Sequence, residues 1–89
     1  MKTKIIIHRL HSEAYSEFSK AAKENITKDR FRMYPTQLTF DCEGVKYIYT
    51  SWEDWNSVVL PKGEDVDVIL ECMITEEERL ELSRHWHIR

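Results

Sequence analysis

"TQLTFDCEGVKYIYT", residues 36–50, is the stretch whose reading decides the fold of this chain. Leu38, Phe40 and Cys42 alternate with Thr39 and Asp41, the period-2 pattern of a strand with one buried face. Gly44 supplies the positive φ that a tight turn needs, and a returning strand follows over about residues 45–50. The segment is therefore a β-hairpin. Pro35, just ahead of it, cannot donate to a ladder and predicts an edge position for the first hairpin strand.

Working outward, "KTKIIIHRL" is short and rich in β-branched residues, which predicts a strand over about 3–10. Its three consecutive Ile suit a central strand. Ser12 offers an N-cap, and Tyr15, Phe18, Ala22 and Ile26 recur at helical spacing, so a helix is expected over 12 to about 25. Beyond the hairpin, Ser51 and Asp54 have capping-box spacing. At about 100° per residue, Trp52, Trp55, Val58 and Val59 share one arc. That predicts a short helix whose indoles anchor a core, with Glu53 and Asp54 outside. A turn at "LPKGED" leads to an alternating strand over 66–73, and Thr75 with Glu78 opens a last helix by a capping box.

The resulting order β-α-β-β-α-β plus a final helix predicts an α+β fold, a ferredoxin-like sandwich with an extra C-terminal helix. Residues 1–89 are expected to form one compact domain. In that scheme the sheet has four antiparallel strands, the first strand pairs with the third, and the second and fourth form opposite edges. RNA recognition motifs share this order. Here Ile6 stands where such a motif carries a stacking aromatic, and Tyr47 and Tyr49 stack bases only if they point away from the helices.

Hydrophobic content of 42% with ten aromatic side chains predicts a folded chain rather than a disordered one. No apolar run approaches the roughly 20 residues that cross a bilayer, and the apolar start ends after three Ile, so no membrane contact is expected. Cys42 and Cys72 form no CxxC motif and are expected as free thiols in the cytoplasm.

The net charge of −3 conceals a segregation. Residues 1–36 carry eight Lys/Arg against four Asp/Glu, and residues 37–82 carry three against twelve. The acidic block, Asp41, Glu43, Glu64, Asp65, Asp67 and Glu71, predicts a surface for a protein partner. Lys20, Lys23, Lys28, Arg30 and Arg32 make the alternative, phosphate contact with a nucleic acid such as RNA. His85 and His87, two apart on a helix, diverge by about 200° and form no chelating pair. No nucleophile or acid–base set stands out. The expectation is a small non-enzymatic regulatory or inhibitory protein without metal or cofactor. By analogy of size, it is akin to phage- or antitoxin-like inhibitors.

Overall fold

The structure, a computed structural model, describes residues 2–58 and 65–86, apart from the side chains of residues 85 and 86. It is an α+β fold in the order β1 (Lys2–His8), α1 (His11–Asn25), β2 (Arg32–Tyr34), β3 (Thr39–Cys42), β4 (Val45–Ser51), β5 (Asp65–Leu70) and α2 (Glu76–Trp86). Single 3-10 turns stand at Pro35–Gln37 and Trp55–Ser57.

Local chemistry sets these boundaries. The Glu13 carboxylate accepts the Leu10 N–H (3.1 Å), satisfying one of the unpaired donors at the start of α1. At α2 the capping box closes in both directions: the Thr75 N–H donates to Glu78 Oε1 (2.9 Å), and the Glu78 N–H donates to Thr75 Oγ1 (3.2 Å). The β3–β4 hairpin turns on Glu43 and Gly44, both at positive φ (52° and 83°), as a two-residue type I′ turn requires.

The sheet has five strands in the order β2-β3-β4-β1-β5. It is mixed: β1 runs parallel to β4 and β5, while β2–β3 and β3–β4 are antiparallel. The expected antiparallel ferredoxin-like sheet is thereby corrected, and the cause is strand parity. The chain leaves α1 into the three-residue strand β2 before it reaches the hairpin. That extra pass reverses both hairpin strands, so β4 returns parallel to β1. The same insertion moves β3 off the edge that Pro35 suggested, because β2 covers it.

The two sheet faces carry separate cores. Ala14, Phe18 and Ala22 of α1 pack on Phe40 and Cys42, with Tyr47 and Tyr49 beside them. On the opposite face Ile5, Ile7 and Ile48 meet Trp55 and Leu82, with Val66, Val68 and Leu70 packed against them. Helices therefore cover both faces, not one.

The helix expected from Ser51 shrinks to a turn and the Trp55–Ser57 3-10 turn. β4 extends to Ser51, and the Ser51 hydroxyl donates to Asp54 Oδ2 (3.0 Å), so the two side chains bond to each other rather than capping backbone amides. The inward role of the indoles survives in Trp55, which is buried. Trp52 is half-buried with its ring 5.4 Å from that of Trp55, and Glu53 and Asp54 are exposed.

Candidate functional site

β5 alternates by design of its sequence. Val66, Val68 and Leu70 point into the second core, and this directs Asp65, Asp67 and Ile69 to the α1 side. The Glu71 N–H donates to the Ile7 carbonyl (2.8 Å), which extends the ladder one residue and places Glu71 in the same row. α1 lies over β1, β3 and β4 and leaves β5 uncovered. All four residues of the row are exposed, Ile69 at 36%.

The neighbouring cations answer part of this charge. Lys2 and Lys4 stand opposite Asp65 and Asp67 in the β1–β5 register. Lys2 Nζ pairs diagonally with Asp67 Oδ2 (3.0 Å), with both side chains about half exposed. The Lys4 ammonium instead sits over the Tyr47 ring, 5.8 Å from its centroid. On the flank of α1, Glu13 and Glu17 stand one turn apart and exposed. Burial first, and then the charges of Glu17, Glu24 and Glu71, hold the Tyr49 phenol above its ordinary range. Glu17 and Glu71 thus act on one ring from helix and strand respectively. The sequence reading missed the α1 carboxylates because they lie in the net-basic third of the chain.

The remaining residues of the acidic block are elsewhere. Asp41 and Glu43 belong to β3 and its turn, three strand spacings or about 14 Å from β5. Asp41 faces away from α1, between Arg32 and Lys46 in the register, and one of its carboxylate oxygens is buried with no hydrogen-bond partner among the described residues. Glu43 lines an open depression of about 510 Å³ together with Lys28, Asp29 and Arg30. Glu64 lies outside the described residues. The single acidic surface expected from the sequence is therefore two separated groups.

The basic set is divided as well. Lys20 and Lys23 are exposed on α1, Lys28 and Arg30 share their depression with two carboxylates, and Arg32 is on β2. Tyr47 and Tyr49 pack under α1 with Phe40, the Tyr47 ring stacked on it at 4.8 Å, so neither presents a free face to a base.

A cavity of about 530 Å³ opens between β3, β4 and the start of α1, walled by the buried Thr39 and Thr50, Ile48 and Val58. At its mouth His11 Nδ1 lies 3.6 Å from Asp54 Oδ2. Among the described residues no three His, Cys, Asp or Glu side chains converge as metal ligands, and no helix is long and apolar enough to cross a membrane. Cys42 is buried, Cys72 is partly buried, and both are free. Burial raises the Cys72 thiol above its ordinary range, opposed by the Arg9 guanidinium, so its thiolate is disfavoured.

Comparison with known proteins found no matching family model, no matching curated protein and no matching solved structure.

Proposed function

We propose that this chain is a non-enzymatic binding protein, regulatory or inhibitory in role, that docks a protein partner on the acidic face formed by β5 and the flank of α1. The observation that carries this reading is the row Asp65, Asp67, Ile69 and Glu71, exposed together because α1 stops short of the outer strand. Three carboxylates around one apolar side chain make a surface with charge for steering and a contact for retention. Asp41 and Glu43 lie too far away to share it. The two free thiols agree with a reducing compartment such as the cytoplasm.

The test is capture of partners from lysate by the wild-type chain and by charge-reversed variants. Asp65→Lys with Glu71→Lys should abolish capture of the proteins held by wild type, while Lys20→Glu with Lys23→Glu leaves them bound. Nuclease treatment should leave the captured set unchanged. The opposite pattern, loss on reversing the lysines together with nuclease sensitivity, rejects this reading in favour of nucleic-acid binding. Circular dichroism of each variant checks that it is folded.

A further inference from the structure

β5 ends the sheet, and its outer side has no strand partner among the described residues. Resting on the reading above, we propose that the partner contributes an extended basic segment that adds to the sheet as a strand alongside β5. The backbone supplies the pairing, and the carboxylates select what it accepts.

In a strand, the N–H and C=O of successive residues point alternately to the two sides. The Glu71 N–H donates inward to Ile7, so Ile69 and Asp67 also turn their backbone groups toward β1. Val66, Val68 and Leu70 therefore present theirs to the open side. These are three outward N–H groups and three outward carbonyls, evenly spaced along a six-residue strand. Natural sheets blunt such an edge with proline, a bulge, an abbreviated strand or charged side chains, and β5 carries only the last, whose negative sign bars acidic and like strands but not basic ones. β5 contains no proline, and its pairing with β1 runs without interruption from Asp65 to Leu70. The edge is fit for strand addition.

The side chains then restrict the guest. A second β5 laid antiparallel would set carboxylates against carboxylates, and like charges directly opposite are destabilising. A guest with cations at alternate positions instead meets Asp65, Asp67 and Glu71, with an apolar residue at the Ile69 position. Antiparallel pairing is the more stable per residue. In that direction the complementary pattern is Lys-Thr-Val-Thr-Lys-Thr-Lys. The face beneath is roofed on one side by α1, whose Glu13 and Glu17 add further negative charge. Recognition thus couples a backbone ladder, which any extended chain satisfies, to a charge pattern of period two.

The probe is that heptapeptide, acetylated and amidated, with two controls. One has the same composition with its lysines moved to the intervening positions. The other is N-methylated at the amides that pair with β5. The patterned peptide should bind and protect the Val66, Val68 and Leu70 amides from hydrogen exchange. The shifted and N-methylated peptides should each bind about tenfold or more weakly. Asp65→Lys with Glu71→Lys should weaken the patterned peptide by a similar factor.

Equal binding of all three peptides, or binding without protection of those amides, overturns strand addition. If the charge reversals still abolish partner capture in that case, the acidic docking surface stands while this mode of using it falls. No binding of the patterned peptide at all, with capture of partners intact, likewise overturns the strand while leaving the surface. Assembly of the chain on itself through this edge, seen as larger species by sedimentation, would also refute the selectivity argued here.

Discussion

His8 stands at the end of β1, 92% removed from solvent by an exposure of 8%, with Nε2 unpartnered among the described residues. Its ring lies parallel to that of Tyr49 at 6.5 Å. A buried polar atom without a partner forfeits its hydration, at a cost of about 1–3 kcal/mol. His8→Phe keeps the ring and removes the atom. The variant should match or exceed the wild-type denaturation midpoint, and a clear drop would mean that this nitrogen has an unseen partner. The tryptophans divide in the same residue-level terms. Trp55→Ala should cost about 3–5 kcal/mol as a buried aromatic, and Trp52→Ala distinctly less, both read by chemical denaturation. Trp55 lies inward as its sequence neighbourhood suggested, but the helical arc that predicted it belongs to a helix that does not form, and Trp52 on the same arc is only half-buried. His8 was not legible: burial of a strand-end imidazole depends on α1 and Tyr49, which arrive from elsewhere in the chain.

Among the elements, the hairpin and the last helix could be read directly from alternation, a glycine at positive φ and a capping box, and α1 from its apolar spacing, although its cap is Leu10 with Glu13 rather than Ser12. β2 could not. Arg32, Met33 and Tyr34 are all exposed, show no alternation and are too few to register as a strand without a partner. Its three residues nevertheless set the direction of every strand after it. α2 illustrates how an element is attached. The Arg9 guanidinium pairs with Glu78 (Nη1–Oε2, 3.1 Å), bonds the Met73 carbonyl and lies over the Trp52 ring. The Arg9 hydrogen bond first, and then the Thr75 backbone N–H, hold the Glu78 carboxyl below its ordinary range. A carboxyl with a depressed pKa in the fold contributes stability that is complete above the unfolded-state value and is lost as pH falls through the folded one. Glu78→Gln should therefore lower stability at neutral pH and flatten the acid limb of the stability profile. The two proteins should converge at low pH, as measured by denaturation at a series of pH values.

At the scale of the whole molecule, folding undoes much of the segregation that the linear charge pattern displays. Lys2 comes from the basic third to meet Asp67, Arg32 stands opposite Asp41, and Lys28 and Arg30 share a depression with Glu43. The candidate surface was half legible for this reason. Asp65, Asp67 and Glu71 hold their row by period two alone, whereas the exclusion of Asp41 and Glu43 and the addition of Glu13 and Glu17 required the sheet order. The Lys2–Asp67 pair is exposed, so its own contribution to stability is under about 1 kcal/mol. Lys2→Ala should leave the denaturation midpoint almost unchanged while strengthening binding of a basic peptide, since it releases one carboxylate. Unchanged binding by isothermal calorimetry would place the peptide elsewhere.

The central position of β1 also governs the order in which the chain can assemble. Lys2 aligns with Val45 on one side and with Asp65 on the other. β1 must therefore wait for partners 43 and 63 residues later in the chain. Non-local closure of this kind slows folding, whereas the β2–β3–β4 meander closes over short loops and is available early. Until β5 emerges, the Ile5–Ile6–Ile7 run has one flank open to any passing strand. A nascent chain halted before residue 65 carries that liability in full, so fast delivery of the C-terminal third protects the N-terminal one.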